Sequence, residues 1–365
     1  MSFGKLIKKL RRERNMTQEQ LAEILSISPQ AVSRWETEMA MPDISLIAPL
    51  CHLFDVTSDE LLGIDLTKKQ EAINAICEEA SKYFNRGYLE EARKILEDGL
   101  AQYPENLDIM YDLMYVAWGQ CNSSNNKKYI DDAITWGEKI LEKSTNDAQR
   151  HGAIQILCYS YHDAGRLEEA VKMAESMPYI SISQECLLSS VLSGSREYDA
   201  KQSEVYNLLQ FLSGRLCCMQ TQLDSGEWAY TAEECAILRD KQIALLHLFF
   251  ENGDFGFYHT HLCDTHREQA TYYAKQGEEE NALKHLSLAA EHAIKFITSY
   301  NEEKTSLVFR GRDSGSWCTN SSENDAARLL RKMQADVFDC IRDQEEFIKI
   351  KEKLSEYAGN WNIQQ

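Results

Sequence analysis

Apolar residues recur at helical spacing along nearly the whole chain, and no stretch shows the two-residue alternation of a half-buried strand. Near the N-terminus the pattern predicts five short helices. The first covers about Phe3–Arg14, with Leu6, Ile7 and Leu10 on one face and Lys5, Lys8, Lys9 and Arg12 on the other. Thr17 followed three residues later by Gln20 spells a capping box, which opens a second helix running to about Leu25. Ser28 caps a third helix, and Pro29 takes its first position, where a missing amide hydrogen does no harm. A fourth helix (Ile44–Phe54) and a fifth (Ser58–Leu62) supply Ile47, Leu50, Leu53, Phe54 and Leu61 to a shared core.

In the third helix Val32 and Trp35 lie three apart and face inward, which leaves Gln30, Ala31, Ser33 and Arg34 pointing out. Glutamine can bridge an adenine through two hydrogen bonds, arginine can bridge a guanine, and alanine can touch a thymine methyl. An outward set of this composition at a helix N-terminus suits a major groove.

The run TQEQLAEILSISPQAVSRWE, Thr17–Glu36, resembles the phage repressor and Cro (Xre) type of helix-turn-helix, and the likeness continues through MPD at Met41–Asp43 and VTSDELLGI at Val56–Ile64. The resemblance implies a sequence-specific bacterial transcription regulator that binds double-stranded DNA as a homodimer on an inverted repeat. It places Gln18 and Ser28 on the phosphate backbone and Gln30, Ala31, Ser33 and Arg34 at base edges. It also implies that Arg11 pairs with Glu36 inside the domain, as a structural contact. Two positions depart from the family: Ser26 and Glu38 stand where glycine is common, and each costs on the order of 1 kcal/mol if its backbone needs positive φ.

Beyond a short polar stretch, Asp65–Gln70, a weak internal repeat begins. Tyr83, Ala92, Leu96 and Pro104 are spaced around a turn at Gly87; Tyr161 and Ala170 repeat the spacing around Gly165, and Tyr273, Ala282, Leu286 and Ala289 around Gly277. The spacing resembles tetratricopeptide repeats. Expected are an all-α fold with a five-helix head over 1–65 and a tetratricopeptide-like α-solenoid over 66–365, built from roughly six to eight helix pairs. Within it Cys121–Lys128 should be a polar loop, residues 181–256 helical without the repeat pattern, and Phe309–Asn324 an exposed loop before two helices at about Asp325–Ile341 and Glu345–Glu356. Regulators similar to this plan include the peptide-pheromone-responsive group, which implies a peptide sensor, and the expected modulator on the body is a peptide, a small ligand or a protein partner. The competing expectation is an interaction scaffold, with the body sequestering a partner protein while the head holds DNA weakly.

Charge changes this picture in one respect. The chain carries a formal net charge of −19, unusual for a nucleic-acid binder, but the acid is unevenly placed. Residues 1–66 hold 7 Lys/Arg against 10 Asp/Glu, a balance of −3, and residues 67–365 hold 32 against 48, a balance of −16, but within residues 1–42 alone the count is 7 against 5. The DNA-facing surface is therefore local to the head, and the acidic body should repel phosphate.

Candidate chemistry is sparse. The longest strongly apolar run, Ile243–Phe250, is interrupted by His247 and falls far short of the roughly 20 residues a bilayer span needs. No signal-peptide pattern follows the basic N-terminus, so a cytoplasmic protein is expected. The 11 cysteines are scattered and form no CxxC pair, which fits small buried hydrophobes in a reducing compartment. Among His259, His261, Cys263 and His266, the first, third and fourth would share a helical face as a plausible zinc set, but the cluster matches no metal-site spacing, and the expected reading is His266 at a helix-packing position with the others as surface or core residues. No phosphate loop, nucleophile elbow or HExxH occurs, so neither cofactor nor metal nor enzymatic activity is expected.

Overall fold

The computed structural model describes residues 3–62, 66–124, 127–315 and 317–363. Among them every extended element is a helix, and only isolated bridges such as Gln222 with Trp228 pair extended backbone. The chain divides into two compact units, Met1–Glu78 and Glu79–Gln365.

The first unit holds α1 (Phe3–Glu13), α2 (Gln18–Ile24), α3 (Pro29–Glu36), a 3-10 turn at Ile44–Leu46, α4 (Ile47–Phe54) and α5 (Ser58–Leu62), and α6 (Leu66–Phe84) follows. Gly63, Ile64 and Asp65, which close the family-like run and open the polar stretch, lie outside the described residues. Each helix from α1 to α5 sends a fully buried side chain to one core: Ile7, Leu21, Val32, Leu50 and Leu61. α1 passes so near the end of α3 that a Cβ on Gly4 would lie 2.3 Å from the Trp35 carbonyl oxygen, so only glycine fits there.

The first four helices end in the same way. Asn15, Ser26, Glu38 and Asp55 each adopt left-handed backbone, with φ of 54°, 55°, 62° and 55°. The amide of the next residue then turns back to a carbonyl five residues earlier: Met16 to Arg11, Ile27 to Ala22, Met39 to Arg34 and Val56 to Cys51. This geometry satisfies orphan carbonyls at a helix end, and glycine is its usual occupant. Ser26 is exposed, and among the described residues its side chain carries no compensating hydrogen bond. Ser26→Gly is expected to stabilise the head by about 1 kcal/mol. Hydrogen exchange at the Leu21 and Val32 amides should slow roughly five-fold, and unchanged or faster exchange would disprove the strain argument.

The second unit continues with α7 (Leu89–Gln102), α8 (Leu107–Ser124), α9 (Lys127–Lys143), α10 (Asp147–Asp163), α11 (Leu167–Glu175), α12 (Gln184–Val191), α13 (Ser195–Cys217), α14 (Ala232–Phe249), α15 (Tyr258–Gln276), α16 (Glu279–Ser299), α17 (Asp325–Lys332) and α18 (Glu345–Ser355). From α7 to α11, and again from α12 to α18, helices pack on their neighbours in the chain, the arrangement of an α-solenoid. The repeat turns do with glycine what the head does without it. Gly87, Gly165 and Gly277 sit at φ of 75°, 76° and 75°, and Tyr88, Arg166 and Glu278 return their amides to Tyr83, Tyr161 and Tyr273. Ala92, Ala170, Ala282 and Ala289 are buried, as small residues between close helices should be.

Four segments differ from expectation. α8 continues to Ser124 through most of the supposed polar loop, and residues 125–126 of that loop are not described. Residues 219–230 form a turn-rich hairpin instead of a helix. The helix expected over Asp325–Ile341 stops at Lys332: the backbone turns extended at Ala335, and the Arg342 guanidinium donates to the freed carbonyls of Met333, Gln334 and Ala335.

The largest difference is at Phe309–Asn324, where Phe309 and Trp317 are buried. This segment runs against the first repeat turn: the Thr319 amide donates to the Asn85 carbonyl at 3.1 Å, and Arg86 Nη1 donates to the Trp317 carbonyl at 2.9 Å. The Arg86 guanidinium also stacks 4.0 Å from the centre of the Trp317 ring, and the Tyr88 hydroxyl donates to the Trp361 carbonyl at 2.9 Å. Aromatic anchors outweigh the Gly/Ser/Arg composition that suggested exposure. The beginning and end of the body are thereby tied together.

Candidate nucleic-acid interface

The helix-turn-helix is set by its caps. Gln20 N–H donates to Thr17 Oγ1 at 3.2 Å while Thr17 N–H donates to Gln20 Oε1 at 2.8 Å, a complete capping box at the start of α2. At the start of α3 the Ala31 amide donates to Ser28 Oγ at 3.3 Å, with Pro29 next in line. Val32 and Trp35 anchor α3 inward.

With α3 fixed in rotation, Gln30 and Arg34 are exposed, and among the described residues their side chains make no hydrogen bond or ion pair. They are four residues apart and share a face. Ser33 is half-buried beside them. Ala31 is half-buried too and packs partly against the core, so less of it is offered outward than the helical pattern suggested. Ser28 is exposed, with its hydroxyl oxygen engaged in the cap.

Arg11 and Glu36 are both 8% exposed and meet through two hydrogen bonds, Nε to Oε1 at 2.5 Å and Nη2 to Oε2 at 3.0 Å. Arg11 Nη1 also donates to the Met16 carbonyl at 2.6 Å. The Gln18 amide joins them, donating from Nε2 to Glu36 Oε2 at 2.9 Å. α1, α2 and α3 are therefore held by one carboxylate. Burial pushes the Glu36 carboxyl up, but hydrogen bonds from Arg11 and Gln18 outweigh it and bring the pKa below its ordinary value. The sequence pattern missed this third member. Gln18 is half-buried, and one of its amide hydrogens is already committed before any phosphate arrives.

The histidines singled out in α15 have partners on α16. His259 Nδ1 lies 2.8 Å from His292 Nδ1, and His266 Nδ1 lies 2.9 Å from His285 Nδ1. His266 also stacks on His292, with ring centres 5.6 Å apart and planes at 9°. Among the described residues no three or more His, Cys, Asp or Glu side chains are arranged to hold a metal ion. Among them, too, no helix is long and apolar enough to cross a membrane.

A helix-turn-helix family model matches residues 7–61. An HTH-type transcriptional activator of Enterococcus faecalis, BcrR, is 42% identical over 63 residues, which is 17% of this chain and 31% of that protein. An HTH-type transcriptional regulator of Bacillus subtilis, ImmR, is 38% identical over 72 residues, 20% of this chain and 57% of that protein. The chain thus spans about a third to a little over half the length of these relatives. Among solved structures, Bacillus thuringiensis PlcR in complex with the peptide PapR7 and DNA aligns over 80% of this chain and 94% of its own, at 14% identity and a TM-score of 0.30. That score is too low to transfer a ligand or an assembly.

Proposed function

We infer that this chain, whose residues 7–61 are a helix-turn-helix domain, is a sequence-specific DNA-binding transcription regulator whose output is set by what its helical body binds. The observation that carries the reading is the α3 face: Gln30 and Arg34 stand exposed on a helix locked by two caps and a buried core, with no partner in the described protein. Arg34 suits a guanine and Gln30 an adenine, while Gln18 and Ser28 lie at helix starts, where backbone contacts position a domain. One head carries only 7 Lys/Arg, so two heads on an inverted repeat supply the affinity. In the body, a cavity of about 230 Å³ lined by Phe84, Leu96, Tyr111, Asp112, Tyr115 and Val116 is the place for a small ligand or an anchoring side chain.

Selection of genomic fragments bound by the full chain, followed by footprinting, should enrich a dyad motif with half-sites about one helical turn apart; no enriched motif would refute the reading. Arg34→Ala should relax preference at one position per half-site at a cost of about 1–3 kcal/mol, whereas Gln18→Ala should weaken all sequences alike. If the two variants change base preference equally, the assignment of roles on this face is wrong.

A further inference from the structure

Many of the exposed large apolar side chains gather in the middle of the body. On α13, Leu208, Phe211 and Leu212 are 43%, 61% and 51% exposed, and on α12, which packs against it, Leu187 and Val191 are 52% and 73% exposed. Clustered apolar exposure of this kind marks a surface that is covered in the working protein.

The α13 stripe has a specific composition. Glu204, Leu208, Phe211, Leu212 and Arg215 follow helical spacing along one side of the helix. Arg215 is exposed and Glu204 half-buried, and neither has an ion-pair partner among the described residues. The midpoint between Glu204 and Arg215 coincides in sequence with the midpoint between Leu208 and Phe211. A two-fold axis through that point lays the helix antiparallel on a copy of itself. Each Leu208 then meets Phe211 of the second copy, and each Glu204 meets Arg215 of the second copy. The stripe is complementary to itself, as an isologous interface must be.

We propose that α13 forms the centre of a homodimer interface, packed antiparallel on α13 of a second copy, with the Leu208–Phe211–Leu212 stripe buried and a Glu204–Arg215 pair closing each end. This rests on the reading that two heads act together on DNA, and it supplies the contact that joins them. An apolar centre with exchanged charges also lets two bodies of net charge −16 approach without opposing their acidic surfaces.

Sedimentation equilibrium of the full chain without DNA tests the interface separately from DNA recognition. The wild-type chain should sediment at twice its 41.9 kDa mass. Phe211→Glu should give the monomer with unchanged helical circular dichroism. Glu204→Arg and Arg215→Glu should each weaken association at least roughly tenfold, and the double reversal should return to within about threefold of wild type. A wild-type monomer, a dimer indifferent to Phe211→Glu, or a double reversal that fails to recover would each overturn the proposal. A dimer that behaves as described but enriches no DNA motif would count against the regulator reading alone.

Discussion

Glu36→Ala should unfold the head. Arg11 would be left as a buried cation without its counter-charge, and the Gln18 amide without its acceptor. Removing one partner of a buried pair costs about 3–5 kcal/mol, while a core of this size rarely supplies more than that. The left-handed backbone at Ser26 and Glu38 lowers the margin further. Limited proteolysis within residues 1–62 should therefore become rapid and DNA binding should vanish. A paired replacement by apolar residues, Arg11→Met with Glu36→Leu, should restore protection, since it removes both charges from the core together. Wild-type resistance in Glu36→Ala would show that the pair contributes little.

The second large effect concerns pH. His259, His266 and His292 are 3%, 4% and 7% exposed at the packed surface of α15 and α16. Burial, followed by the positive charges of Lys295 and Lys304, holds His259 at about 3. Burial and then the neighbouring imidazoles of His292, His285 and His247, with Lys284, hold His266 at about 3. Burial, then His259, Lys295 and His247, hold His292 at about 3 as well. Burial lowers His261 and His285 in the same sense, though nearby carboxylates, Asp264 and Asp240 respectively, oppose it.

In the unfolded chain these groups titrate near about 6.5. Between that value and about 3 the unfolded state binds protons that the native state refuses, so native stability is fully present above about 6.5 and falls as pH drops. Each histidine contributes a slope of up to about 1.4 kcal/mol per pH unit, and three together about 4. Relief of repulsion among surface carboxylates acts in the opposite direction, but those charges are solvated and screened. The body is expected to unfold between about pH 6 and 4, well above the range of ordinary acid denaturation. Urea unfolding followed by circular dichroism at pH 7, 6 and 5 measures the slope; stability that is flat or rising toward pH 5 would contradict it.

The contrast between these two features shows what the chain discloses locally. Caps are local chemistry, so Thr17, Gln20, Ser28 and Pro29 announce the starts of α2 and α3, and the inward pair Val32 and Trp35 fixes which face of α3 is left over. Ser26 and Glu38 could be recognised as misfits only against the glycines common at those places, and both indeed carry positive φ. Contacts between distant positions left no such mark. Arg11 and Glu36 are 25 residues apart, and nothing in helical periodicity joins them or adds Gln18.

The histidines are an intermediate case. Spacing within one helix groups His259, Cys263 and His266, whereas the partners of the two histidines lie on the next helix. The readable signal was the seven-residue spacing occurring twice, at His259 and His266 and at His285 and His292, on two helices joined by a glycine turn. In the segment at 309–324 glycine, serine and arginine describe a solvated loop on average, while the buried Phe309 and Trp317 decide where it lies.

The tie between Asn85–Tyr88 and the segment around Trp317 and Trp361 alters how the body should come apart. A linear repeat array frays from its free ends, one unit at a time. Here Arg86 and Trp317 join positions 231 residues apart, so the terminal repeats have no independent edge from which to peel. Loss of any one repeat strains the closure that holds the others, which favours a single concerted transition. The cost falls on kinetics, because that long-range contact can reward the chain only after nearly the whole body has been ordered.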